Sequence, residues 1–353
     1  MKSLRNKSGK TCADQLLHGN CLQILKSLNA ESIDLVCTDP PYGIGIFGSA
    51  WDAFKRTSAE ASFQTFMRSV AADCLRVLKP GAFMFFTMTP RQDSLVQALQ
   101  GVQDAGFVTS FSSLYWTYAK GFPKAMNVGK LLKQRSKQKP TRDMKHAAKL
   151  AGAYAGFQPK PVVEVVVVAM KPLAEGTYSD QALLNGKGVT WLDDCRIPSD
   201  EPITIRHGRN GAFAGGHPTS SRDETYRKST RPRFPANLLV SDSALGEYSR
   251  FFSLDKWDRK ILPFLPAPKP SNRERNYSLS DGEGVKNTHP TVKPLSLMAY
   301  LITLGSRPGD VVLDPFLGSG TTALAAKLLG RRYIGIEREK KYLSIARARL
   351  ATS

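Results

Sequence analysis

Hydrophobic positions in the first third of the chain follow two alternating periods. Residues 33–38 (IDLVCT) form a short apolar run ended by Pro40 and Pro41, which predicts a buried strand. From 60 to 78, Phe63, Phe66, Met67, Val70, Cys74, Leu75 and Leu78 recur at helical spacing, and Pro80-Gly81 stops that pattern. Residues 82–88 (AFMFFTM) predict a second buried strand. Leu95, Val96, Leu99 and Val102 predict another helix before Gly106, and strand-like runs follow at 107–118 and 162–170.

The periodicity weakens between 173 and 287, where Gly, Pro, Ser and Arg accumulate and 206–235 is the most loop-like part. It returns at Pro294, placed for a first helical turn, with Leu297, Met298, Leu301 and Ile302 on one side. A Pro-Gly-Asp turn at 308–310 leads into VVLDPF, a Gly-rich loop, the helical TTALAAKLLG and the strand-like RRYIGIE. This is a βαβ unit. The expectation is an α/β fold, a doubly wound Rossmann-like sheet interrupted by an insert. Residues 1–172 and 288–353 are two halves of one core, and 173–287 is the inserted region.

A chain of 353 residues, 41% hydrophobic and 23% charged, has material for a substantial core, which argues against wholesale disorder. The most apolar stretch, 161–170, is short and carries Glu164, so it cannot span a bilayer. The basic start lacks an apolar secretion segment. Cys12, Cys21, Cys37, Cys74 and Cys195 form no C-x-x-C pair, so neither a disulfide scaffold nor a cysteine-rich metal site is expected. A reducing, cytoplasmic setting follows as the default.

Charge changes this picture most. Fifty Lys and Arg against 30 Asp and Glu leave +20, which points to a polyanionic partner. Half of that excess lies in 120–160, where Lys120, Lys124, Lys130, Lys133, Arg135, Lys137, Lys139, Arg142, Lys145, Lys149 and Lys160 face a lone acid, Asp143. Trp116, Tyr118, Phe122, Tyr154 and Phe157 are interleaved with or adjoin these cations, which favours a nucleic-acid contact over a merely solvated segment. The insert is nearly neutral, yet Arg209, Arg231 and Arg233 could reach a nucleic acid from it.

Two turns carry candidate chemistry. After the strand ending in Asp314, Gly318 and Gly320 let the backbone approach a ligand. Thr321 and Thr322 then open a helix whose amides can receive an anion. Glu337 ends the next strand, where a doubly wound fold places an acid on ribose hydroxyls, so the unit suits an adenosine-containing cofactor. Taken alone it also reads as an ordinary βαβ turn with capping glycines, and no G-K-[ST] marks a phosphate loop. The second turn is Asp39-Pro40-Pro41-Tyr42, at the carboxyl end of the first strand, where two prolines fix the backbone rigidly. A carboxylate and a carbonyl held there could accept both N–H groups of an exocyclic base amine, with Tyr42 stacking on a base swung out of the helix. Taken alone, this too could be a capping Asp before a rigid turn.

Together, DPPY, THPTVKP (288–294) and DPFLGSGTT resemble the S-adenosylmethionine-dependent DNA amino-methyltransferases, and their order resembles the circularly permuted β group of that family. The resemblance implies that Asp39, Pro40, Pro41 and Tyr42 hold the target base and its amine. It further implies that Asp314, Pro315, Phe316, Gly318, Gly320 and Thr321 line the methionine end of S-adenosylmethionine. Glu337 would bind the ribose, and Thr291 and Lys293 would pack against the cofactor pocket. Asn20 stands where the family often has an acid and would meet the adenine; His18 beside it reads as structural. The insert 173–287 would be the target-recognition region, and double-stranded DNA the substrate, with base flipping and no metal. None of the five cysteines follows a proline, which sets aside cytosine-C5 chemistry. The family's tendency to carry Asp in this tetrapeptide favours adenine N6 over cytosine N4. An RNA amino-methyltransferase and a DNA-binding protein with a vestigial core are the remaining alternatives. Neither a homodimer nor a restriction endonuclease partner is readable from the residues.

Overall fold

The computed structural model describes residues 13–45, 52–54, 62–119, 125–136, 143–157, 159–198, 203–207, 225–229, 232–261, 276 and 286–351. In chain order, the strands are β1 (Gln15–His18), β2 (Ile33–Thr38), β3 (Leu78–Met88), β4 (Leu114–Thr117), β5 (Val163–Met170), β6 (Ile203–His207), β7 (Thr225–Ser229), β8 (Leu238–Val240), β9 (Val311–Asp314) and β10 (Arg332–Glu337). The helices are α1 (Cys21–Leu25), α2 (Phe63–Val77), α3 (Gln92–Asp104), α4 (Val128–Ser136), α5 (Asp143–Lys149), α6 (Tyr178–Asn185), α7 (Leu254–Ile261), α8 (Leu295–Gly305), α9 (Thr321–Leu328) and α10 (Lys340–Ala351).

Eight strands form one sheet in the order β1-β10-β9-β2-β3-β5-β4-β8. β5 runs antiparallel to both its neighbours, β3 and β4, and the other pairings are parallel. The two-residue period of the strands sorts side chains onto two buried faces. Leu35, Cys37, Phe83, Phe85, Val166 and Val312 face one core, built with helices α7 to α10. Val36, Met84, Phe86, Val165, Val167 and Leu313 face the other, against α1, α2 and α3. The continuous apolar runs of the sequence are thus strands covered on both sides. Among the described residues no helix is long and apolar enough to cross a membrane.

Two details depart from the sequence reading. Pro80-Gly81 lies within β3, where the register to β2 shifts between Ile33 and Leu35. Gly81 adopts φ 76°, and a Cβ there would come within 2.8 Å of the Gly188 amide. The residues that stop α2 therefore form an irregularity inside the next strand. The second departure concerns the expected insert 173–287, much of which is built into the core. β8 is the eighth strand of the sheet, and Cys195, Ile197, Leu239 and Trp257 are buried in the core. Lys187 bridges Asp34 and Asp310, both at 2.9 Å. What separates from the sheet is a two-stranded arm. Ile197 and Arg233 exchange backbone hydrogen bonds, and β6 and β7 continue antiparallel from Ile203↔Ser229 to His207↔Thr225.

Candidate active site

β1, β2, β9 and β10 end, and β5 begins, at one edge of the sheet, which is where open α/β sheets place ligands. A cavity of about 840 Å³ runs along that edge. It is lined by both candidate turns: Asp39, Pro40, Pro41 and Tyr42 from the end of β2, and Asp314, Pro315, Phe316, Gly318 and Thr321 from the end of β9. Glu337, Thr291, Lys293 and Asn20 also line it.

The acceptor turn is held from behind. Asp52, fully buried, accepts hydrogen bonds from the amides of Tyr42 and Gly43, each at 2.7 Å, and of Ile44 at 3.3 Å. Asp39 Oδ1 accepts from the Thr87 hydroxyl and lies 3.0 Å from the Tyr42 hydroxyl, whose single proton it shares with Glu164, while Oδ2 accepts from Lys293 Nζ at 2.7 Å. The Lys293 ammonium also lies 3.2 Å from Glu164 Oε2, which accepts from the Tyr42 hydroxyl at 2.8 Å. Burial alone would lower the Lys293 pKa, but Asp39 and Glu164 reverse this and hold it above the ordinary lysine value. Burial, reinforced by the same two carboxylates, pushes the Tyr42 phenol well above its ordinary value. Tyr42 is therefore a neutral brace as well as a cavity wall. It is 9% exposed, and its hydroxyl fixes the carboxylate three residues before it.

The glycine turn is held as tightly. Glu337 accepts from the amides of Gly318 (2.8 Å) and Glu339 (2.7 Å), so the strand-terminal acid clasps the loop. Gly318 has φ 54°, and a Cβ there would meet the His289 ring at 2.9 Å. Asn287 donates to Ser319 Oγ at 3.0 Å, so the THPTVKP segment lies over this loop. Asp314 joins the two turns: its Oδ1 accepts from Thr38 Oγ1 at 2.5 Å and from the Phe316 amide at 2.9 Å. Burial raises its pKa to about 6.

Three expected residues sit differently from their expected roles. Gly320 does not line the cavity; it caps α9 at φ 87°, and a Cβ would come within 2.7 Å of Ala346 Cβ, so it serves the packing of α9 on α10. Lys293, expected against the cofactor, reaches the acceptor Asp39 instead. Arg233 lies over the Phe251 ring at 4.0 Å, with its backbone paired to Ile197, which makes it part of the arm's base. Asn20 caps α1, accepting from the Leu22 amide at 2.9 Å. Of the DNA-contact candidates, Lys130, Lys133 and Arg135 are exposed on α4, whereas Lys124, Lys137, Arg209 and Arg231 lie outside the described residues. Glu164, Thr87 and Asp52 are residues the motifs did not reveal. Cys37, in β2 itself, is buried and its thiol is pushed well up by that burial, so it supplies no nucleophilic thiolate.

A strand-end carboxylate and a glycine turn with a terminal acid share one cavity at the carboxyl edge of an α/β sheet. The N6/N4 DNA methylase family model matches residues 33–348, and the chain belongs to that family. It is 24% identical over 338 residues to the DNA adenine methyltransferase YhdJ of Escherichia coli (strain K12), covering 96% of this chain and 83% of that one. A 72-residue stretch is 57% identical to the Type II methyltransferase M.HinfI of Haemophilus influenzae; it spans 20% of each chain. The fold is similar to that of the cytosine-N4-specific PvuII DNA methyltransferase, with a TM-score of 0.51, 18% identity, and coverage of 96% of this chain and 87% of that one.

Proposed function

We propose that the protein transfers a methyl group from S-adenosylmethionine to the exocyclic amino group of a base in double-stranded DNA, and that the base is adenine. The observation that carries this reading is the single cavity shared by Asp39 and the Gly318–Glu337 clasp. When bound, S-adenosylmethionine supplies an electrophilic methyl on a sulfonium. Gly318, Thr321 and Glu337 are the residues that would hold it; all three line the cavity, and a strand-terminal carboxylate beside a glycine turn fits a ligand that carries ribose hydroxyls.

The acceptor chemistry follows from Asp39 and Pro40. An aromatic amine is a poor nucleophile because its lone pair is delocalised into the ring. Asp39 Oδ2 and the Pro40 carbonyl can accept its two N–H groups, localise that pair on nitrogen and stabilise the positive charge that grows there. Tyr42, Trp116 and Tyr118 line the same cavity and offer aromatic surface to a base turned out of the duplex. Adenine is supported by Asp39 heading the tetrapeptide and by the name of the full-length relative YhdJ.

DNA contacts are supported by position. The segment between β4 and β5 leaves and re-enters the sheet at the cavity's edge, and it holds α4 and α5 with exposed Lys130, Lys133 and Arg135. Asp39→Ala is expected to reduce methyl transfer by at least about a thousandfold, with DNA affinity retained. Tritium incorporation and a gel-shift titration measure the two, and loss of both together would make Asp39 structural. Modified-base sequencing of DNA from cells expressing the protein should show N6-methyladenine at one recurring site. N4-methylcytosine there would overturn the base assignment.

A further inference from the structure

The acceptor carboxylate is not alone with its substrate: a buried ammonium, Lys293, sits 2.7 Å from Asp39 Oδ2. That is an unhelpful neighbour for a reaction that builds positive charge on nitrogen. Asp39 and Lys293 together are neutral, and a neutral pair stabilises a developing cation far less than a carboxylate does. The structure contains a third charge, Glu164, whose Oε2 lies 3.2 Å from the same ammonium. With two carboxylates to one ammonium, the cluster carries −1.

We propose that Glu164 gives the acceptor site its net negative charge, sharing Lys293 with Asp39 so that Asp39 keeps its electrostatic effect on the target nitrogen. Glu164 also lines the cavity, but its carboxylate is taken up by Lys293 and two tyrosine hydroxyls, so we place its effect on Asp39. Its Oε2 accepts from Tyr42 at 2.8 Å, its Oε1 faces the Tyr118 hydroxyl at 3.4 Å, and its own side chain is 17% exposed. It is the second residue of β5, the antiparallel strand. Because β5 is antiparallel, its first residues lie at the edge where the parallel strands end. Lys293 has a counterpart duty. Two carboxylates bridged by one tyrosine hydroxyl would repel each other at this depth, and the shared ammonium lets both stay in place. Glu164 is thus a positioning residue, and it rests on the reading that Asp39 accepts the amine.

The test compares single-turnover methylation in wild type, Glu164→Gln, Glu164→Asp, Lys293→Met and the double variant Glu164→Gln/Lys293→Met, with DNA affinity and thermal unfolding measured on each. Glu164→Gln makes the cluster neutral and is expected to slow the methyl-transfer step by about tenfold to a hundredfold, with DNA affinity within about twofold. Glu164→Asp keeps the charge and should retain most of the rate. The decisive arm is the double variant: removing Lys293 restores −1 through Asp39 alone, so it should be faster than Glu164→Gln by about threefold or more. A double variant no faster than Glu164→Gln, or a Glu164→Gln rate within twofold of wild type, overturns the proposal. Should Glu164→Gln fail to fold, a Glu164→Asp rate below a tenth of wild type in a folded protein overturns it equally. If Asp39→Ala in the same assay keeps its rate, the acceptor reading has failed, which is a separate outcome from failure of the charge balance.

Discussion

Asp314 is a carboxyl group 3% exposed, holding hydrogen bonds to the end of the neighbouring strand and to its own turn. Its pKa, raised by burial to about 6 from 3.8, means the folded protein binds its proton more tightly than the unfolded chain does. The contribution is therefore fully present below pH 3.8 and is lost as pH rises through about 6. Thermal unfolding between pH 4 and 7 should show wild type losing up to about 3 kcal/mol relative to Asp314→Asn across that window; parallel curves for the two proteins would refute it. Asp52 is an acceptor for three amides of the acceptor turn. Asp52→Ala leaves those amides without a partner and should cost about 3 kcal/mol in chemical denaturation. It should also slow methyl transfer, because Asp39 and Tyr42 lose their rigid frame.

At the scale of elements, α9 meets α10 across Gly320 and Ala346. A Cβ on Gly320 has both a left-handed backbone and a 2.7 Å contact against it. Gly320→Ala should destabilise by about 2–4 kcal/mol, and Ala346→Gly in that background should recover part of the loss; no recovery would mean that backbone strain alone sets the cost. The elements themselves were largely legible. Six of the seven apolar positions from Phe63 to Leu78 outline α2, with Leu78 opening β3, and the DPFLGSGTT turn forecasts the β9-α9-β10 unit. What the chain conceals is pairing at a distance. Glu164 enters a reading of the sequence only as the charge that keeps 161–170 out of a bilayer; its value lies in Lys293 and Tyr42, more than a hundred residues away on either side. β8, three residues long in a loop-rich stretch, has no periodicity to announce it, and its parallel pairing with β4 from Tyr115↔Leu238 to Thr117↔Val240 makes it a strand. Lys293 stands in a legible motif and lines the cavity, but spacing along a chain does not say that a long side chain will reach Asp39.

For the whole molecule, charge is divided by region. Residues 120–160 carry +10, and the exposed Lys130, Lys133 and Arg135 of α4 belong to that segment, while residues 173–285 are nearly neutral. Reversing Lys130, Lys133 and Arg135 to Glu should weaken binding to all duplexes alike and reduce the slope of log affinity against log salt by about 2–3; an unchanged slope would place α4 away from the phosphates. The sheet order has a further consequence, for synthesis. Among the described residues β1 pairs only with β10, and β9 fills the space between β10 and β2. A nascent chain that has made the acceptor turn therefore holds two strands with nothing between them until residues 311–337 leave the ribosome. The halves close late and by long-range contacts, which is the slow kind of folding. A ribosome-stalled chain ending before 311 should expose Leu35 and Val36 to chaperones, and it cannot modify the genome before the protein is whole.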